Sequence, residues 1–452
     1  MDFDTIVKNG IIVTSSEVLS PGLEIGIKDG KIMCIGLSLP SSPSTKIIDA
    51  EGAYITPGGI DSHVHLAQDN SPTGDDWETG SRSAIAGGNT VVLAFATQER
   101  NQASLYPVVE DYHKRSRNQS YCDYSFHLIL TNPSPSVLND ELPSLAADGI
   151  TSLKLYMTYD PLKLTDKELI TVLMAARKCG MTTMIHAENH DMIAHITNAL
   201  ESFRLTEPYY HAVSRPQIAE DEATYRIIAL ANLADAPILL VHMSASAAVK
   251  HVRKAQGKLL PIHAETCPQY LFLLSSQIKG TETDPFSGAK CVCSPPLRHD
   301  PKDLQAMWQH LANGTFTTFS SDHAPSTYNH PAGKKLGLVD GIPSFKKIPN
   351  GLPGVETRLP LLFSAALDGK ISLPRFVQLT STNPAKLYGM NGTKGSIAVG
   401  YDADLVIWYP DSHDFSPSSP SQNPGITITQ EILHHGVDYT PYEGMIVRNW
   451  PR

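Results

Sequence analysis

Eight short apolar runs recur along the middle of the chain, and amphipathic segments of helix length separate most of them. This alternation is typical of β–α units around a parallel sheet. One helix is predicted at residues 166–180, with Asp166 as an acid in the first turn and Gly180 as a stop signal. Eight strands close a (β/α)8 barrel, so the sequence predicts an α/β fold of this TIM-like kind. The candidate strands span residues 54–65, 90–96, 124–131, 152–158, 181–187, 237–243, 259–265 and 315–322.

The two ends of the chain have a different pattern. Residues 4–50 alternate short β-like runs with turn signals, including the hairpin-type pairs Asn9-Gly10 and Asp29-Gly30. A similar pattern returns at residues 394–410, so we expect the two pieces to form one small β-sandwich. The predicted domains are an N-terminal sandwich part at 1–55, a catalytic barrel at 56–385 and a C-terminal sandwich part at 386–452.

Charge and apolar patterning exclude several classes of partner. The 452 residues carry a formal net charge of -10 and no basic block, which gives a nucleic acid or an anionic membrane no electrostatic attraction. The sequence shows no signal-peptide pattern and no apolar run long enough to span a membrane. The six cysteines are scattered, and we expect them to be reduced thiols. These features predict a cytoplasmic protein that acts on a small neutral substrate.

Polar residues of metal-ligand type stand at the ends of several predicted strands. His63 and His65 lie two apart in "PGGIDSHVH", so both imidazoles face the same side of the first strand. His186, His242 and Asp322 end three further apolar runs. Any one of these histidines alone would be better explained as a hydrogen-bonded core residue. Together they predict a metal site, because barrel enzymes take catalytic groups from the ends of several strands. Imidazole and carboxylate donors suit Zn2+, and several other first-row metals would fit.

A lysine interrupts the fourth predicted strand. In "GITSLKLYMTYD", Lys154 stands between apolar residues, where an unpaired ammonium would be costly. Desolvation and nearby cations both favour its neutral amine, which can react with carbon dioxide to give a carbamate. Our hypothesis is that Lys154 is N-carboxylated and that its two oxygens bridge two metals. The alternative is an ordinary lysine whose ammonium reaches solvent.

With these residues assembled, the sequence resembles the dihydropyrimidinase and hydantoinase family of cyclic-amide amidohydrolases. The resemblance extends over nearly the whole chain, and its most specific stretches include "PGGIDSHVHL", "LKLYMTYD", "MIHAENHD", "CSPPLR", "SSDHAP" and "IPNGLPGVETRLPLL". It implies a barrel with a β-sandwich built from both chain ends. It also implies two Zn2+ ions per subunit, bridged by carboxylated Lys154 and a hydroxide. The implied ligands are His63, His65, Lys154 and Asp322 for one zinc, and Lys154, His186 and His242 for the other.

The resemblance also implies roles for residues near the metals. Asp322 is both a ligand and the base that moves a proton from the attacking water to the leaving ring nitrogen. Tyr159 donates to the developing oxyanion, although a tyrosine at a strand exit could also serve only in packing. Backbone groups of Ser294 and Asn350 are assigned to the flat amide edge of the substrate ring. The family resemblance further implies a homotetramer.

The implied reaction is the opening of 5,6-dihydrouracil and dihydrothymine to N-carbamoyl-β-amino acids, in reductive pyrimidine degradation. Hydantoins are possible alternates, and an allantoinase-like cyclic amidase is a further alternative. Dihydroorotases are expected to carry an arginine soon after the first histidine pair, but "HLAQDNSPTGDDW" contains none. Allantoinases are expected to lack the tyrosine and the "NGLPG" loop present here. Collapsin response mediator proteins share the fold as non-catalytic scaffolds but lack the full ligand set.

Two expectations concern the C-terminal region. The Ser/Pro-rich residues 412–425 are predicted to be a surface loop. The chain ends at "NWPR", where the family usually continues with another strand and a tail, so the C-terminal sandwich part is expected to be truncated. An unfinished sandwich would leave an exposed strand edge that invites pairing.

Overall fold

The N-terminal residues form strands of two small sheets. The computed structural model describes residues 2–410 and 425–451, so the predicted loop at 412–425 lies, apart from Gly425, outside the described residues. Asp29 and Gly30 have left-handed φ angles of 51° and 73° in a two-residue turn, which confirms a hairpin there. The N-terminal strands are β1 (Thr5–Lys8), β2 (Ile11–Ile12), β3 (Leu23–Lys28), β4 (Lys31–Leu37), β5 (Lys46–Asp49) and β6 (Tyr54–Pro57).

The predicted hairpin at Asn9-Gly10 is wrong. β1 pairs with β3 and β5, whereas β2 pairs with β6 in the other sheet. Asn9 has a φ of 58° and turns the chain from the first sheet into the second. The local signal therefore identifies a turn, but the partners of each strand depend on the apolar core between the sheets.

Eight parallel strands form the barrel in sequential order, which confirms the predicted fold class. The amide of His65 donates to the carbonyl of His323 (2.7 Å), and the amide of His323 donates to the carbonyl of His63 (3.3 Å). These bonds join the first strand to the segment after the last, so the barrel is nearly closed. The strands are β7 (Gly59–Val64), β8 (Asn89–Thr97), β9 (Asp123–Ile129), β10 (Ser152–Tyr156), β11 (Thr182–His186), β12 (Ile238–Leu240), β13 (Ile262–Thr266) and β14 (Thr318–Phe319).

The run predicted as one strand at 54–65 is two strands in two different sheets. It divides at Gly58, between β6 of the sandwich and β7 of the barrel. The amide of Gly58 donates to the carbonyl of Asp404 in the sandwich (2.7 Å). The next amide, of Gly59, donates to the carbonyl of Gly88 beside β8 (2.9 Å). The chain thus passes from one sheet to the other within a single peptide unit.

Helices follow most of the barrel strands. The helix predicted at 166–180 forms over Asp166–Lys178, and Gly180 follows it with a φ of 67°. Thr165 and Glu168 make a reciprocal capping box at its start, with the Thr165 amide 2.7 Å from Oε2 of Glu168. The helices are α1 (Trp77–Ala86), α2 (Tyr106–Ser116), α3 (Leu142–Ala147), α4 (Asp166–Lys178), α5 (His190–Ser202), α6 (Tyr210–Ser214), α7 (Gln217–Ala234), α8 (Ser246–Gln256), α9 (Gln269–Phe272), α10 (Pro301–Ala312), α11 (Arg358–Leu367), α12 (Leu373–Val377) and α13 (Asn383–Leu387).

Two strands from the end of the chain, Leu405–Pro410 and Asn449–Pro451, complete the second small sheet, in which they follow β2 and β6 in that order. Val7, Ile25, Ile55 and Ile407 belong to one buried cluster that joins this sheet to the first, so both chain ends build one β-sandwich. The domain boundaries given above remain a prediction. The remaining strands are β15 (Leu338–Val339), β16 (Ile342–Pro343), β17 (Leu405–Pro410), β18 (Ile426–Thr427), β19 (Ile446–Val447) and β20 (Asn449–Pro451).

The barrel strands are buried on both faces. Successive residues of β8 alternate between two clusters: Val92 and Ala94 pack with the helices, while Leu93 and Phe95 pack with residues from other strands. The second cluster fills the barrel interior beneath the strand ends that carry the predicted ligands. In residues 2–410 and 425–451, no helix is both long and apolar enough to cross a membrane.

Candidate metal centre

The first strand and the segment after the last strand bring three predicted ligands together. Nε2 of His63 lies 3.1 Å from Oδ1 of Asp322, and Nε2 of His65 lies 3.6 Å from the same oxygen. Both imidazole rings also contact Phe95, at centroid distances of 4.8 and 4.7 Å. The ligand atoms of His63, His65 and Asp322 all lie within 4.8 Å of one another, so these residues form a candidate metal site.

Two further predicted ligands adjoin this group. The rings of His186 and His242 lie 4.5 Å apart, and those of His63 and His242 lie 5.4 Å apart. Parallel pairing of β10 with β11 sets Tyr156 beside His186 and Lys154 beside Met184. The predicted ligands of both groups therefore converge at one end of the barrel.

Lys154 is fully buried in this cluster, so its ammonium does not reach solvent. Its Nζ lies 5.1 Å from the ring centroid of Phe95 and 5.2 Å from that of Tyr156. Burial lowers the pKa of Lys154 to about 8, which favours the neutral amine more than in a free lysine.

Buried atoms without hydrogen-bond partners test whether a cation fits here. Among the described residues, Nζ of Lys154, Nε2 of His63 and Nδ1 of His242 are buried and have no hydrogen-bond partner. Nε2 of His63 faces Oδ1 of Asp322 at 3.1 Å, and both atoms belong to the candidate metal site. An unpaired buried polar atom is costly, and metal coordination would satisfy all three. The cluster of nitrogen and carboxylate donors therefore fits a divalent metal.

Protonation states in the cluster also suit a cation. Burial lowers the pKa of His65 to about 4 and that of His242 well below its usual range, so both rings are neutral near pH 7. Burial alone would raise the pKa of Asp322, but His63 and His65 hold it well below its usual range. A neutral imidazole and an ionised carboxylate are the forms that bind metals.

Three predicted site residues have left-handed backbone conformations. The φ angles are 70° at Tyr159, 39° at His242 and 50° at Asp322. A left-handed non-glycine residue costs on the order of 1–3 kcal/mol, and such residues concentrate at functional sites. The surrounding fold therefore holds these three residues where an unconstrained strand end would not.

Sequence patterns missed the groups that orient the histidines. Nδ1 of His63 lies 2.7 Å from Oε1 of Glu265, and Nε2 of His186 lies 2.7 Å from Oε2 of Glu188. Arg215 in turn donates to Oε2 of Glu188 at 2.7 Å. These bonds leave Nε2 of His63 and Nδ1 of His186 available for a metal. Glu188 follows its histidine by two residues, which is a usable signal, whereas Glu265 and Arg215 come from distant segments.

The predicted substrate residues lie beside the metal cluster. The ring of Tyr159 is 5.3 Å from that of His186, and the guanidinium of Arg215 lies 5.3 Å from the Tyr159 ring centroid. The Ser294 hydroxyl donates to Oδ1 of Asn350 at 3.1 Å. One cavity of about 720 Å³ includes every predicted site residue in its lining. These residues are His63, His65, Lys154, Tyr159, His186, His242, Ser294, Asp322 and Asn350.

An arginine that sequence spacing does not indicate also lines this cavity. Arg115 of α2 donates to both carboxylate oxygens of Asp69, at 2.8 and 2.9 Å. It also donates to Asp111 at 2.7 Å. Because two carboxylates pair with its guanidinium, Arg115 is not a free partner for an anionic substrate.

Known proteins resemble the chain over nearly its full length. A D-hydantoinase of Ralstonia pickettii is 38% identical over 452 residues, which cover 99% of this chain and 93% of that protein. A D-hydantoinase of Geobacillus stearothermophilus is 39% identical over 451 residues, which cover 99% of this chain and 90% of that protein. The crystal structure of a dihydropyrimidinase from Brevibacillus agri NCHU1002 matches with a TM-score of 0.90 at 38% identity, covering 99% of this chain and 92% of that one. The family model described as "Amidohydrolase family" matches residues 54–433, and the chain belongs to that family.

Proposed function

We propose that the protein is a hydrolase that opens cyclic amides, with 5,6-dihydropyrimidines and hydantoins as its substrates. Membership of the amidohydrolase family and relatives named D-hydantoinase and dihydropyrimidinase support this reaction class. The observation that carries the proposal is the convergence of unpartnered buried donors, histidines and a carboxylate at the barrel end. Opening 5,6-dihydrouracil or dihydrothymine would give N-carbamoyl-β-amino acids, as in reductive pyrimidine degradation.

The amidohydrolase family is metal-dependent, and the finer metal arrangement is part of the proposal. Two Zn2+ ions would be held by the ligand sets given above, with carboxylated Lys154 in both. When bound, the cations supply Lewis-acid polarisation of the ring carbonyl and lower the pKa of a water molecule. The lowered pKa of Lys154, about 8, and its unpartnered Nζ support capture of carbon dioxide. The amine lone pair forms the new N–C bond, one C=O π bond of carbon dioxide breaks and leaves its electron pair on oxygen, and one amine proton passes to solvent.

Asp322 moves the proton in this account. Its carboxylate is ionised and lies beside His63 and His65, so it can accept a proton from the attacking water. The same proton then passes to the ring nitrogen as the C–N bond breaks. One group therefore serves first as base and then as acid, and no further proton donor is needed.

Tyr159 donates a hydrogen bond to the carbonyl oxygen of the ring as negative charge develops there. Burial raises the pKa of Tyr159, so its hydroxyl keeps the proton near pH 7. Two observations support this role: the Tyr159 ring lies 5.3 Å from the His186 ring between centroids, and Tyr159 lines the cavity. Backbone groups of Ser294 and Asn350 bind the amide edge of the ring.

Charge in the cavity favours a neutral ring over one that carries a carboxylate. The carboxylate of dihydroorotate would need a free cationic partner, but Arg115 already pairs with Asp69 and Asp111.

The complete ligand set argues against the scaffold role of collapsin response mediator proteins. The homotetramer is proposed on family resemblance alone, and light scattering of purified protein tests it. The cytoplasmic location is proposed from the sequence features given above.

A substrate panel tests the proposed reaction. Zinc-loaded protein is mixed with dihydrouracil, hydantoin, allantoin and dihydroorotate, and the ring-opened products are separated by chromatography. We expect N-carbamoyl products from dihydrouracil and hydantoin, with far lower turnover of dihydroorotate. Failure to open either of the first two rings, in protein shown to contain metal, would overturn the proposal.

A further inference from the structure

Two loops carry the residues assigned to the substrate ring. Ser294 follows the buried residues Val292 and Cys293, and Asn350 lies in the loop before α11. Neither residue belongs to a barrel strand, so the strand ladder does not fix their separation. One backbone bond joins the loops directly, from the amide of Gly351 to the carbonyl of Val292 at 3.0 Å.

A buried lysine makes three further bonds to these same loops. Lys334 is fully buried, and its Nζ donates to the carbonyls of Pro349 (2.6 Å), Gly351 (2.7 Å) and Val292 (3.2 Å). Pro349 and Gly351 flank Asn350, and Val292 lies two residues before Ser294. An ammonium has three N–H donors, so three carbonyls satisfy it completely.

Within residues 2–410 and 425–451, this lysine has no counter-charge at hydrogen-bond distance. Among the described residues, no carboxylate forms an ion pair with Lys334. Burial lowers the pKa of Lys334 to about 7, which expresses the cost of keeping the ammonium away from water. The three carbonyls are the only hydrogen-bond partners of Nζ in the described part of the chain. The three hydrogen bonds hold the two loops in a fixed position relative to each other.

We propose that Lys334 is a positioning residue for the substrate ring, because its ammonium clamps the loops of Ser294 and Asn350 against each other at the cavity wall. The inference rests on the proposed function, since it takes Ser294 and Asn350 as binding the amide edge. Lys334 itself does not line the cavity. It acts through the carbonyls on either side of Asn350, so its effect falls on substrate binding more than on the metal cluster.

Two substitutions separate this role from a structural one. Lys334→Met keeps the aliphatic volume and removes all donors, whereas Lys334→Gln keeps two N–H donors. Lys347→Met is the matched control, because Lys347 is exposed in the segment just before Pro349. For each protein, kcat and KM for dihydrouracil and hydantoin are measured together with metal content and thermal unfolding.

We expect Lys334→Met to raise KM about 10-fold to 100-fold with kcat within about threefold, as for loss of binding interactions. Metal content should match the parent, Lys334→Gln should raise KM by an intermediate factor, and Lys347→Met should match the parent throughout. An unchanged KM in Lys334→Met, or a fall in kcat and metal content at constant KM, would overturn the inference. So would insolubility of both Lys334 variants beside a soluble Lys347→Met, because that would show a role in folding. A parent protein inactive on every ring would instead contradict the proposed function.

Discussion

Lys154 illustrates how a single residue can be unfavourable for the metal-free fold and necessary for the site. Its amine is fully buried, faces two aromatic rings and has no hydrogen-bond partner among the described residues. The two rings and the nearby carboxylates of Asp322 and Glu265 offset only part of the cost of burial, because the pKa of Lys154 is still lowered to about 8. A carbamate shared by two cations would satisfy the site more fully. The cost of burying this amine is therefore best explained by a role in the proposed metal centre.

Replacement of Lys154 by methionine should separate stability from activity. Methionine fills a similar volume without a polar atom, and apolar replacement of a buried charge is often neutral or stabilising. We expect metal-free Lys154→Met to unfold at a higher temperature than the metal-free parent, to bind less zinc and to lose ring-opening activity. Calorimetry, metal analysis and product assay measure the three effects. A variant that binds two metals and remains active would refute the role of Lys154.

Tyr159→Phe tests the oxyanion role against a packing role. Loss of one oxyanion donor costs about 100-fold to 1000-fold in kcat. The phenyl ring should preserve the contacts with His186 and Arg215, so metal content and thermal stability should stay close to those of the parent. Steady-state kinetics with hydantoin as substrate measure the change in kcat. A kcat within a few fold of the parent would assign Tyr159 to packing.

Sequence reasoning found the ligand residues because each ends an apolar run or stands inside one. His186 ends one buried strand, His242 follows another, and Lys154 interrupts a third, so each stands out in the sequence alone. Glu265 and Lys334 were missed for the opposite reason. Glu265 lies 202 residues from His63, and only the barrel brings them together. Lys334 lies 15 to 42 residues from the carbonyls that it binds, in loops without a periodic pattern.

At the level of elements, the number and order of barrel strands could be predicted, but their limits could not. The last strand was expected over 315–322, yet only Thr318–Phe319 pairs in the ladder. Beyond it, the amide of Ser321 donates to Asp61 (3.1 Å) and the amide of His323 donates to the carbonyl of His63. These bonds turn the chain out of the ladder and give Asp322 its left-handed conformation, which no periodicity encodes.

A side chain at Gly58, where the chain crosses from the sandwich to the barrel, should destabilise the protein. A Cβ there would collide with the side chain of Thr90. We expect Gly58→Ala to lower the free energy of unfolding by about 1–3 kcal/mol, as for overpacked sites. Gly36→Ala is the control, since its Cβ would meet only ordinary contacts such as Leu39 at 3.4 Å. Denaturant unfolding measures the free energy of unfolding of both variants. Equal values would contradict a steric clash at Gly58.

At the scale of the whole molecule, an ion cluster ties the sandwich to the barrel. Nζ of Lys394 lies 2.5 Å from Asp123 of β9, 3.0 Å from Asp402 and 2.8 Å from Asp404. Asp402 also pairs with Lys31 of β4, so residues from three distant parts of the chain meet there. The general pairing of the two chain ends was predictable from their similar texture, but this cluster was not, because its members have no common spacing.

Removal of the Lys394 ammonium should weaken the contact between the sandwich and the barrel, and the effect should depend on salt concentration. Lys394→Met leaves three carboxylates close together, and their repulsion is screened as ionic strength rises. We expect a lower Tm at low salt and partial recovery at high salt, with kcat unchanged because the cluster lies away from the cavity. Calorimetry at two ionic strengths measures the effect. A Tm that is lowered equally at both would contradict an electrostatic origin.

A crystal structure of the protein supplied with zinc and bicarbonate tests the central claim most directly. The account predicts electron density for a carboxyl group on Nζ of Lys154, and two cations that share it. His63, His65 and Asp322 should contact one cation, and His186 and His242 the other. An unmodified lysine side chain in fully metal-supplied crystals would contradict the account.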